Sequence, residues 1–180
     1  MASLAIELLR TSWEVSATRL ERRCHGLTDQ EYLWKPVDDA WTVRPDAHRP
    51  GRWTYDYDFA PSPPAPVTSI SWRLVHLIAD NEIYWEHAFG GGRRTFADLE
   101  VPSTAARAMH LWHASRRPIS RWLETATDDA LLEPRPSHLG EQKTAAEVIR
   151  ILLDEQTHHG AEIALLRDLH LRQQARWPTR

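Results

Sequence analysis

Glu155 and His159 are the pair in this sequence whose types and spacing most clearly invite chemistry. Stepping about 100° per residue along a helix puts Val148, Leu152, Glu155, His159, Ile163 and Leu166 on one face. A carboxylate and an imidazole, one turn apart, therefore interrupt an apolar stripe. Burying a bare carboxylate costs on the order of several kcal/mol, so something must compensate it. The stretch from Trp72 to Ala79 is apolar on most sides, which points His76 inward as well, and Asp80 follows one turn later on the same side. Two histidines and a glutamate from two helices make the ligand set of an open zinc site or of a facial iron triad.

The same spacing permits a metal-free reading. Glu155 and His159 could satisfy each other by a hydrogen bond, and a lone core histidine such as His76 can be a packing residue. On helix two, Trp72, Asp80 and Tyr84 are candidate substrate-binding residues, with Asp80 also a candidate base in catalysis. His158 falls on the flank of the stripe. His25, His48, His87, His110, His113, His138 and His170 show no ligand spacing, and most are expected at the surface.

Four stretches with helical periodicity must position these groups, and none of the chain reads as a strand. Helix one is expected over about residues 3–26, with Leu9, Trp13, Leu20 and Cys24 along one stripe. Thr28 and Glu31 form a capping-box pattern opening a short helical turn that stops before Pro36. Helix two is expected over about residues 68–89, ending at three glycines, and helix three over about 103–127. Helix three turns Ala105, Met109, Trp112, Ile119, Trp122 and Ala126 inward and should kink at Pro118. Helix four opens at a second capping box, Thr144 with Glu147, and runs to about residue 174. The pattern predicts an all-α, four-helix bundle, and bundle cores are common places for metal sites. Residues 38–66 form a long Pro-rich loop between helices one and two; its Trp41, Trp53, Tyr55 and Tyr57 predict that it packs against the bundle.

At 180 residues, 42% hydrophobic and 26% charged, the chain has the composition of one globular domain over 1–180. A net charge of −3 with no basic cluster among aromatics argues against a nucleic-acid partner. Glu7, Arg10 and Glu14 break the first apolar run, so neither a signal peptide nor a membrane span is expected. One cysteine, Cys24, allows no internal disulfide and suits a reducing, cytoplasmic compartment. Nine tryptophans exceed what one small core readily hides, which predicts exposed aromatics and a homodimer.

The stretch EQTHHGAEIALLRDL at 155–169 resembles the final helix of the DinB-like superfamily. It is most similar to the actinobacterial branch that includes mycothiol-dependent maleylpyruvate isomerase. LTDQEYLWKP at 27–36 and PPAPVTSISWRLVHL at 63–77 resemble the same branch, in the same order along the chain. Many members hold a metal on three histidines; here Glu155 stands first in the last pair, as in the isomerase branch, giving His76, Glu155 and His159. The resemblance implies a divalent metal, zinc first with nickel or iron as alternatives, and a tendency to dimerise. It also implies a mycothiol-like thiol as cosubstrate, used for S-transfer to, or isomerisation of, a small electrophile. A metal-dependent hydrolase of a small substrate and a non-catalytic metal or small-ligand binder are the alternatives.

Overall fold

The computed structural model describes residues 4–176. Four long helices dominate it: α1 (Leu4–Cys24), α3 (Ile70–Phe89), α4 (Ala105–Thr125) and α6 (Ala145–Arg176). Two short ones, α2 (Asp29–Leu33) and α5 (Asp128–Leu131), fill connections. α1 packs on α6 and α4, and α3 packs on those same two helices. Each long helix therefore has two long neighbours.

The helix starts follow from their caps. Thr28 and Glu31 close a reciprocal box at α2, Ser69 accepts from Trp72 N at the head of α3, and Thr104 accepts from Arg107 N at α4. At α6, Thr144 and Glu147 bond each other's backbone amides. Each satisfies amides that the first helical turn leaves without partners. α4 runs through Pro118 without a break.

The core is built from the predicted stripes. Leu20, Cys24, Leu74, Ile78, Trp112 and Ile163 lie in one buried cluster. Trp13, Ile119, Leu123, Val148 and Leu152 lie in a second. Burial pushes the Cys24 thiol up to about 12, with Arg167 and Arg23 opposing. The group is a packing residue, not a nucleophile.

Three expectations are corrected. Strands do exist: β1 (Val43–Pro45) pairs antiparallel with β2 (Trp53–Tyr55), and β3 (Pro134–Pro136) with β4 (Gln142–Thr144). Three-residue strands carrying Pro45, Pro134 and Pro136 leave no alternation to detect. His170 is buried, its ring set edge-on to Trp34 at 5.3 Å. Finally, the exposed aromatics are Tyr57, Phe59 and Phe96 and not tryptophans: none of the eight described tryptophans is exposed, and Trp177 lies outside the described residues. Trp41 and Trp53 find their packing on the ribbon and its root, a shelter that composition cannot reveal.

The first ribbon matters because it is tied to the head of α3. Trp41 N donates to Val67 O, and Ser69 N donates to Trp41 O, both at 2.9 Å. Asp56, just past β2, accepts from Thr42 N through its carboxylate. Its carbonyl accepts from Trp72 Nε1 at 2.6 Å. The segment expected as a loop is thus a small buttress that fixes the Trp72 ring.

Candidate metal centre

α3 and α6 cross with His76 facing Glu155 and His159. His76 Nε2 lies 3.3 Å from Glu155 Oε2, and His159 Nε2 lies 3.1 Å from the same oxygen. One ligand atom from each of these three residues falls within 4.8 Å of the other two. Metal bonds of ~2.0–2.2 Å span donor–donor edges of roughly 3.3–3.6 Å in a tetrahedron. The two measured edges sit close to that range, so the residues fit a small divalent cation. The donor chemistry, two imidazole nitrogens and one carboxylate, suits zinc, nickel or iron.

The support behind His159 fits the same reading. Its Nδ1 lies 2.6 Å from Glu162 Oε2, and Arg73 pairs with that carboxylate at 2.9 Å. Arg73 Nη1 also lies 2.9 Å from that Nδ1, so a carboxylate and a guanidinium together fix the orientation of the ring behind the centre. Behind His76 the support is different. Its ring stacks on Trp72, with centroids 4.8 Å apart and planes 15° apart, while Nδ1 has no hydrogen-bond partner.

The electrostatics are those of crowded, half-desolvated donors. Burial alone would raise Glu155, but hydrogen bonds from His159 and His76 hold it well below the usual carboxylate range. Burial lowers the His159 imidazole, with Glu155 opposing. Burial would lower His76 too, yet Asp80 and Glu155 lift it above its ordinary value. His76 and Glu155 side chains stay 21% and 26% exposed, so the centre is reachable from solvent.

Asp80 sits where the sequence placed it, one turn beyond His76. Its Oδ2 is 3.2 Å from His76 Nε2 and makes no hydrogen bond. Burial pushes its carboxyl up to about 7, His76 working against that shift and Glu155 with it. Tyr84 follows on the same helix, its ring edge-on to His138 at 4.2 Å. Burial, then Asp80, pushes the Tyr84 hydroxyl up to about 12. Trp72 is a wall of the centre, 7% exposed.

Four groups escaped the sequence reading. Glu162 and Arg73 are the braces of His159, and only the offset of three from His159 to Glu162 could have flagged the first. His158, assigned to a flank, brings Nε2 to 3.0 Å from His159 Nε2. Tyr55 on β2 has a buried hydroxyl with no partner, raised by burial and more weakly by Tyr57 and Asp80; no sequence signal tied that ribbon to the centre.

The sequence matches the family model of the DinB superfamily over residues 12–163, a span that contains His76, Glu155 and His159. No curated protein matches it.

Proposed function

The chain belongs to the DinB superfamily, and from that premise we propose a metal-dependent enzyme that uses a low-molecular-weight thiol. The thiol, of the mycothiol kind, serves S-transfer to, or isomerisation of, a small electrophile. Members of the superfamily are metal-binding. The observation that carries the reading is the meeting of two Nε2 atoms and one carboxylate oxygen at a partly solvent-facing place.

A metal bound there would ionise a coordinated thiol outright, making a nucleophile at neutral pH. The chain's own residues do the rest. Glu162 and Arg73 hold the His159 ring in place. The ribbon holds Trp72 flat on His76, an apolar wall for an electrophile. Asp80 Oδ2 is an acceptor without a partner beside His76, suited to receive a proton or orient a substrate. Tyr84 extends that wall along α3. Zinc is the first choice of metal.

The same reading takes the four long helices as a DinB-type four-helix bundle over residues 1–180. It takes the protein as cytoplasmic: no described helix is long and apolar enough to cross a membrane. It also includes a homodimer through a face outside the metal seam. Exposed Leu4 and Leu8 of α1, and Leu165 and Leu169 of α6, offer apolar surface for it.

The unpartnered Asp80 carboxylate supports a second reading, in which the centre activates water and Asp80 is the base. Cobalt-substituted protein separates the two. Thiol addition should give a thiolate-to-metal absorption band that is missing in His76→Ala and Glu155→Ala proteins. Thiols that leave the cobalt spectrum unchanged, while an ester or amide is cleaved, would replace the transferase with the hydrolase.

A further inference from the structure

Tyr57, Phe59 and Phe96 are the aromatic side chains left exposed among the described residues, and two of them touch. Tyr57 lies just past β2, and Phe96 opens the short 3-10 turn Phe96–Asp98 between α3 and α4. Their rings stack with centroids 4.9 Å apart and planes 30° apart. That contact occupies one face of each ring, and 42% of Tyr57 and 37% of Phe96 remain open to solvent. None of the described tryptophans is left out in this way.

The stack stands beside the metal centre. Asp56, the residue before Tyr57, accepts the Trp72 indole N–H on its carbonyl, and the Trp72 ring lies flat on His76. The Tyr57 hydroxyl is raised by burial and then by Asp80, whose carboxylate is 3.2 Å from His76 Nε2. On α3, the Tyr84 hydroxyl is raised by burial and then by Asp80, Glu155 and Tyr57. The ligand carboxylate and Tyr57 are thus both within electrostatic reach of Tyr84. Rings from α3, Trp72 and Tyr84, and rings from the ribbon side, Tyr57 and Phe96, border one centre.

Flat π faces favour a flat ligand. A planar ring laid on them gains offset stacking beyond the area it buries, and a puckered ring of the same carbon skeleton does not. We propose that the Tyr57–Phe96 pair is an aromatic subsite of the metal centre, so that the small electrophile it selects has a planar aromatic body. This rests on reading the centre as the site of a small electrophile, and it does not depend on the thiol.

Two ketones test it without any chemical step. Methyl naphthyl ketone is followed by its own fluorescence, and its saturated counterpart, methyl decalyl ketone, by displacement of the first. Wild-type protein should bind the naphthyl ketone more tightly by about five- to tenfold, the size of a favourable aromatic pair. Tyr57→Leu and Phe96→Leu keep apolar bulk without a π face, so each should erase much of that preference and leave decalyl binding unchanged. Tyr57→Phe keeps the ring and should bind as wild type does. Helix content and zinc uptake should match wild type in all three, since neither side chain is a donor of the centre. Equal affinity for the two ketones, or a preference that survives both leucine substitutions, overturns the subsite. So does a loss of helix content or zinc uptake that accompanies the lost preference, which would make the stack a structural clip. Thiols that leave the cobalt spectrum unchanged beside an intact ring preference remove the transferase and keep the subsite. A thiolate band with no ring preference does the reverse.

Discussion

His159 Nδ1 lies 2.6 Å from Glu162 Oε2, one turn along α6 from the carboxylate that its Nε2 faces. One imidazole is therefore held between two acidic groups, with Arg73 Nη1 also 2.9 Å from its Nδ1. Glu162→Gln keeps the volume but removes the negative charge that sits between His159 Nδ1 and Arg73. Loss of such an outer carboxylate commonly costs about 10–100-fold in metal affinity. A competition titration against a chelator should show a loss of that size, with helix content unchanged. Retained affinity would make the contact a surface pair and nothing more.

His159→Ala removes a ligand and should strip the metal while leaving a folded, helical protein. Its site is buried at the α3–α6 contact, but an alanine there is compatible with helix. Equal metal content in mutant and wild type by elemental analysis would falsify the assigned triad.

Asp80→Asn separates chemistry from binding. The side chain is buried, so the near-isosteric amide should keep the packing, and Asp80 lies outside the three-donor set. Metal content should stay at the wild-type value while turnover falls by about 10²–10⁴, the usual size of a general acid–base contribution. Turnover within a factor of two of wild type would end any role for Asp80 in proton transfer.

The α6 stripe was legible because its period holds from Val148 to Leu166, long enough for two polar residues to stand out against the apolar ones. His76 was legible for the same reason on α3. What decides the rest is side-chain direction. His158 lies on the flank by period, and its contact with His159 could not be read from spacing; its Nδ1 meets the Asp154 carbonyl. The ribbon was hidden because its strands are three residues long and are ordered by Asp46, Asp56 and the Trp41–Thr68 bridge, all contacts between distant or turn residues. The tryptophan count misled because it could not show Trp41 set 6.0 Å from Trp72 against the head of α3.

The proposed homodimer is tested by light scattering at tens of micromolar, roughly the concentration at which a micromolar affinity populates the dimer. A mass of twice the 20.8 kDa chain is expected. A single-chain mass at that concentration would leave the exposed leucines of α1 and α6 as ordinary surface residues.

The last prediction concerns acid stability and the buried Glu31. Its Oε2 accepts from Thr28 N at 2.9 Å and Thr28 Oγ1 at 3.1 Å, while Oε1 accepts from Arg167 Nε at 3.0 Å. Arg167 also donates to the carbonyls of Arg23 and His25, so one guanidinium joins α6 to α2 and to the end of α1. Burial would raise the Glu31 carboxyl, but the Thr28 and Arg167 bonds outweigh it and hold the group below its ordinary value. A folded pKa below the unfolded one means stabilisation that is fully present above about 4.3, the free glutamate value. It is lost as pH falls through the lowered folded value. Denaturant midpoints of wild type and Glu31→Gln should therefore differ by a constant amount near neutrality and converge below about pH 4. Arg167→Ala should be the costlier change, about 3–5 kcal/mol, because it strands a buried carboxylate. Arg167→Lys should recover only part of that, since one ammonium cannot reach Glu31 and both carbonyls with the same fork. A Glu31→Gln gap that stays constant down to about pH 3, well below the free glutamate value, would show that the carboxylate charge contributes nothing to it.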